Sequence, residues 1–112
     1  MKNYLIPVLF TVFTILSFSN PIAAKKVDLA NGENIFNANC AACHVGGNNV
    51  IMPEKTLKKD ALEKNGMNKV DSITYQVTNG KNAMPAFGGR LDDNEIENVA
   101  NFVLNQSEID WN

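Results

Sequence analysis

The strongest constraint on this chain is a pentapeptide, Cys40-Ala41-Ala42-Cys43-His44. C-x-x-C-H is the pattern of covalent c-type haem attachment. Thiols at this spacing can reach the two vinyl groups on one edge of a haem and form thioethers. The histidine after the second thiol is then held under the iron, where an imidazole nitrogen binds it. A bare C-x-x-C admits other chemistry, but each alternative lacks support. A zinc site needs a second ligand pair, and the 112 residues contain two cysteines and one histidine. A thioredoxin-like pair belongs beside a βαβ pattern, and nothing here alternates strands with helices. A disulfide leaves His44 unexplained. Cys40 and Cys43 are therefore assigned as the covalent haem attachments and His44 as an axial ligand of its iron.

Ahead of the motif stands an export signal. Lys2 supplies a positive start, and Leu5 to Phe18 is apolar except at Pro7, Thr11, Thr14 and Ser17. Asn20-Pro21 breaks the run, and Ile22-Ala23-Ala24 supplies a small-residue cleavage site. The run falls short of the ~20 residues of a membrane span, so residues 1–24 read as a removed signal peptide. Residues 25–112 then form a single domain. A domain this small buries little apolar surface and commonly needs a metal or cofactor. A covalent haem would supply that centre. Without Lys2, nine basic and twelve acidic side chains remain, a net charge of −3. Such a surface argues against nucleic acid or anionic lipid as a partner and permits steering by a basic docking site.

The pattern predicts an all-α domain of four helices. The first follows Asp28 as N-cap and runs to about Asn39, with Gly32, Phe36, Cys40 and Cys43 on one face. Gly46-Gly47-Asn48-Asn49 ends regularity, and a loop continues through Met52-Pro53. The second helix spans Leu57 to Lys64, capped by Thr56, with Leu57, Ala61 and Leu62 inward and Gly66 as its stop. The third runs from about Asp71 to Thr78, with Ile73 and Val77 four apart and Gly80 beyond its end. Pro85, Gly88 and Gly89 make the following segment irregular. In the last helix, Asp92 and Glu95 form a capping box, and Ile96, Val99, Phe102 and Val103 form a stripe that is simply core. That stripe is expected to cross the Gly32/Phe36 face, with Gly32 allowing close approach.

A second axial ligand must come from far enough along the chain to reach the other haem face. Met52, only eight residues after His44, has a cramped path. Met67 follows the helix-stop glycine and reads as loop or core filler. Met84 lies forty residues downstream in a loop, with Pro85 biasing it toward an extended backbone and Phe87 near enough to pack on the haem. Met84 is assigned, with Met67 second. Paired His/Met ligation raises the potential and leaves no open coordination site. A backbone carbonyl near Pro53 is expected to take the other N–H of His44. Gln76 could place an amide near the haem. Arg90, the single arginine of residues 25–112, stands beside the methionine loop where it would suit partner docking.

Taken together, these stretches resemble the cytochrome c6 family. The likeness is carried by Asp28 to Phe36, Asn39 to His44, Gly46 to Asn49, Tyr75 to Phe87, Val99 to Leu104 and the terminal Trp111. The resemblance implies a small class I cytochrome c fold, about four helices wrapped around one covalently attached haem. It implies a soluble, monomeric one-electron carrier in the thylakoid lumen of a plastid or cyanobacterium, passing electrons from the cytochrome b6f complex to photosystem I. It also implies Cys40 and Cys43 as attachments, His44 and Met84 as axial ligands, Gln76 against the haem and Arg90 in docking. A related branch with an extra disulfide-bearing loop does not fit, because no further cysteines exist.

Other functions are open but poorer. A bacterial-type cytochrome c of the periplasm, donating to a terminal oxidase, differs only in its partner. A haem peroxidase needs an exchangeable distal position and an acid/base group near it, and His44 is the chain's one histidine. A thiol oxidoreductase would keep free thiols and no haem.

Overall fold

The computed structural model describes residues 26–112. The signal-peptide reading of residues 1–24 lies outside the described residues. Helix α1 (Leu29–Asn39) begins where Asp28, in an extended conformation, accepts the Asn31 N–H on its side chain at 2.9 Å. This fills one of the donors that a helix start leaves unpaired. The helix closes at Cys40, whose N–H reaches the Phe36 carbonyl at 2.8 Å. A separate short helix α2 (Ala41–His44) then carries the remainder of the pentapeptide, followed by a 3-10 turn, Val45–Gly47. The haem motif is thus a kinked addition to α1 rather than its last turn. Gly46 and Gly47 are both left-handed (φ 65 and 78), which reverses the chain after His44.

Helix α3 (Lys59–Lys64) is shorter than its pattern suggests. Thr56 does not cap it: its hydroxyl accepts the N–H of Lys58, the residue just before the helix, at 3.3 Å, and Leu57 lies outside it. Leu57 stays outside because Lys58 after it is extended (φ −74, ψ 154), and the Leu57 N–H donates to the Gly47 carbonyl at 2.7 Å. Gly66 stops the element in a left-handed conformation (φ 68). Helix α4 (Val70–Asn79) buries Ile73 and Val77. Helix α5 (Asp93–Glu108) has both arms of the capping box, Glu95 N–H to Asp92 at 2.7 Å and Asp92 N–H to Glu95 at 3.1 Å. Among the described residues there is no strand, only isolated bridges at Lys81–Met84 and Gly88–Leu91.

The core forms where α1 crosses α5. Ile35 and Phe36 meet Ile96, Val99, Ala100, Phe102 and Val103, all buried. Each fully buried large apolar side chain contributes roughly 1.5–3 kcal/mol. The crossing is close because Gly32 lacks a side chain: a Cβ there would lie 2.3 Å from the Asn98 carbonyl oxygen and 2.9 Å from Phe102 Cβ. Beside it, the 2 % exposed Asn98 side chain accepts the Asp28 N–H at 3.0 Å and donates to Asn31 Oδ1 at 2.9 Å. The helix contact therefore also completes the start of α1. Trp111 adds an aromatic cluster, its ring 5.1 Å from Phe36 and 6.0 Å from Phe102 between centroids.

Two stability predictions follow from the crossing. Gly32→Ala must move backbone, so it is expected to lower unfolding stability by about 3 kcal/mol in denaturant titrations of the haem-loaded protein. Asn98→Leu strands the Asp28 N–H and the Asn31 amide oxygen and is expected to cost about 2 kcal/mol. Breaking the exposed Lys59–Glu108 ion pair (3.1 Å) supplies a control with little effect.

Candidate functional site

All the helices contribute to one apolar cavity of about 300 Å³. Its walls include Phe36, Leu62, Ile73, Val77, Phe87 and Val99, which also belong to the core. Cys40, Cys43 and His44 line it from the α1–α2 kink, and Met84 lines it from the loop after α4. Four residues separated by up to forty-four positions thus share a cavity. Gln76 joins them, while Arg90 is exposed and not part of the wall. Met52 and Met67 also line the cavity, and Met67 packs against the core, as its reading as core filler expects.

His44 Nδ1 lies 2.9 Å from the carbonyl oxygen of Asn48. The expectation of a carbonyl near Pro53 is therefore corrected. The left-handed Gly46 and Gly47 turn the chain back so early that the fourth residue after His44 already supplies the acceptor. With Nδ1–H donating there, Nε2 is the ring atom left with a lone pair for a metal. Burial, and then the neighbouring Cys43, push the Cys40 thiol up to about 11. Cys40 therefore stays neutral at ordinary pH. Conversion to a thioether keeps it neutral, so that burial carries no charge penalty.

The Met84 loop is clamped to the end of α4. Lys81 and Met84 exchange backbone bonds of 3.1 and 2.9 Å, Phe87 N–H donates to Val77 at 2.8 Å, and Gly88 N–H donates to Thr78 at 3.0 Å. The fold-back requires Gly80, which has φ 70 and ψ 172. A Cβ there would come within 2.7 Å of Ala86 N and Met84 O. Gln76 lies one turn before this glycine and accepts its N–H through its carbonyl at 2.7 Å. The Gln76 side chain then donates from Nε2 to Met84 Sδ at 3.4 Å. No hydrogen bond of this kind links Gln76 to Met52 or Met67. Arg90 stacks its guanidinium 4.8 Å from the centroid of the Phe87 ring, so its charge is held over a cavity-wall residue.

This donor set fits a c-type haem. It offers two thiols close in sequence, an imidazole whose second nitrogen is already tied, a thioether fixed by an amide, and a mainly apolar inner wall with polar residues such as Asn39, Lys55 and Asn82 also in the lining. Among the described residues, no group of three or more His, Cys, Asp or Glu is placed to hold a bare metal ion. The sequence signals for Asn48 and Trp111 were weak: a carbonyl acceptor has no residue signature, and one terminal tryptophan has no periodicity.

Known proteins share this arrangement over most of their length. The family model for cytochrome c oxidase, cbb3-type, subunit III matches residues 27–103. Cytochrome c6 of Bumilleriopsis filiformis is 80% identical over 84 residues, covering 75% of this chain and 98% of its own. Cytochrome c6 of Porphyra purpurea is 65% identical over 104 residues, covering 93% and 94%. The crystal structure of cytochrome c6 from the diatom Phaeodactylum tricornutum aligns with a TM-score of 0.73 at 64% identity, covering 75% of this chain and 99% of that one. The C-x-x-C-H segment, the all-helical fold and these similarities agree: the chain belongs to the cytochrome c6 family of class I c-type cytochromes, which carry electrons and are not enzymes.

Proposed function

We propose that this protein, after removal of residues 1–24, is a soluble, monomeric one-electron carrier of the thylakoid lumen. In this reading it takes electrons from the cytochrome b6f complex and delivers them to photosystem I in a plastid or cyanobacterium. Convergence of His44, Met84 and both thiols on one apolar cavity is the observation that carries it. When bound, a haem c supplies a reversible one-electron couple at its iron. Cys40 and Cys43 would fasten that group covalently, and His44 and Met84 would take its two axial positions. With both positions filled by the chain, no exchangeable site would be left for oxygen or peroxide. The thioether of Met84 is soft and favours the ferrous state. Gln76, by donating to Sδ, draws electron density from the sulfur and strengthens that preference. The apolar core residues of the wall would pack against the bound group.

Encounter with partners is a surface matter. No described helix is long and apolar enough to cross a membrane. Exposed Val45, Val50 and Ile51 lie around the attachment segment, and Arg90 sits beside the Met84 loop. A shuttle needs brief docking, for which small interfaces suffice. Donation to a terminal oxidase is the second reading, favoured by the one family model whose name belongs to an oxidase subunit. Flash-induced re-reduction of photosystem I separates the two. Purified reduced protein should accelerate re-reduction in proportion to its concentration, and the rate should change with salt. No acceleration by intact reduced protein would move the assignment to the oxidase.

Three variants test the residue roles. Arg90→Glu should slow photosystem I re-reduction at low salt, with the difference shrinking as salt rises. Met84→Ala should open the iron to carbon monoxide and lower the midpoint potential by about 0.1–0.3 V, a fraction of the ~0.8 V that axial ligands span. Gln76→Val should keep His/Met ligation but lower the potential by about 20–60 mV, the one-electron equivalent of an ordinary hydrogen bond. Redox titration of the purified protein reads both potentials.

A further inference from the structure

We infer that Trp111, at the far end of the chain, is a positioning residue for His44. The inference rests on the reading of His44 as the iron's axial ligand. Trp111 and the preceding Asp110 are both left-handed (φ 60 and 50), an unfavourable pair of conformations for residues with side chains. Two contacts of the indole hold them there. Its Nε1–H donates to the Leu57 carbonyl at 3.0 Å. Its ring covers Gly47 so closely that a Cβ there would fall 2.4 Å from the indole Cδ1.

These two contacts land on the two ends of one loop. Leu57 N–H donates to the Gly47 carbonyl at 2.7 Å, which closes the neck of residues 47–57. Trp111 therefore grips both sides of that neck, and its ring is backed by Phe36 and Phe102. Immediately inside the neck is Asn48, whose carbonyl takes the His44 Nδ1–H at 2.9 Å. The chain of contacts runs from indole to neck, from neck to Asn48, and from Asn48 to the imidazole. The Met84 loop has a separate support, bonded to Val77 and Thr78 of α4. Trp111 thus orients the histidine side of the site and leaves the methionine side alone.

NMR on the haem-loaded protein tests this. In the wild type, hyperfine-shifted ring protons of His44 in the oxidised state check the ligand reading independently; their absence overturns that reading and not the clasp. The clasp is tested by hydrogen exchange of Trp111 Nε1–H, Leu57 N–H and His44 Nδ1–H, which should respond together to added denaturant. Separate openings would overturn it. Trp111→Phe keeps an aromatic ring but loses the donor. It should speed exchange at Leu57 and His44 by about fivefold or more, as expected for one lost hydrogen bond. The His44 ring signals should shift while those of Met84 stay put. A variant with lower melting temperature but unchanged His44 and Leu57 signals would make Trp111 a core residue only and reject the proposal.

Discussion

The close crossing of α1 and α5 is the contact on which the rest of the molecule depends. Gly32 has nothing beyond its backbone, so the two helices meet at the Asn98 carbonyl. That approach brings Phe36 and Phe102 to 5.4 Å and lets Asn98 satisfy the first turn of α1. With α1 set against α5, the kink at Cys40 leads into α2, whose Cys43 and His44 line the cavity beside Cys40. The pentapeptide is thereby aimed into the space that α3, α4 and the Met84 loop enclose.

Core and site are not separate compartments here. Phe36, Leu62, Ile73, Val77, Phe87 and Val99 are core residues and cavity walls at once. A domain of this size leaves a large share of its apolar surface unburied by its own chain. The cavity is where that surface collects, and an apolar, covalently tethered group would complete it. In the proposed reading the same arrangement serves electron exchange: the walls would also hold His44 and Met84 at the two positions of the iron and so leave it no exchangeable site.

His44 and Met84, the proposed axial donors, are supported in different ways. His44 is held by a local turn, with its acceptor four residues on, and that turn is braced from a distance by the C-terminus. Met84 is held by a loop that folds back on α4, with Gln76 from the same helix fixing the sulfur. Arg90, stacked on Phe87, shows how a surface charge can be kept in register with the site by an interior ring.

Much of this was legible in the residues. The capping box of Asp92 and Glu95, the Asp28 cap, the Gly32 contact and the stripe from Ile96 to Val103 are local or periodic signals, and they correspond to the structure. The pentapeptide by itself determined the cofactor class, because its chemistry is contained in five consecutive residues. The start of α3 was misjudged, since Lys58 is extended and leaves Leu57 in the loop whose neck it closes with Gly47, ten residues away. The His44 acceptor was misplaced for a related reason: a carbonyl is common to every residue, and only the path of the backbone selects Asn48. Trp111 entered only through the family likeness, with no periodicity to place its ring. Motif spacing and periodicity are properties of the chain itself, so the sequence determined the attachment motif, the helices and their apolar faces. Which distant groups meet across a turn depends on helices packing first, so the tertiary structure alone decided what braces His44 and which methionine receives the Gln76 amide.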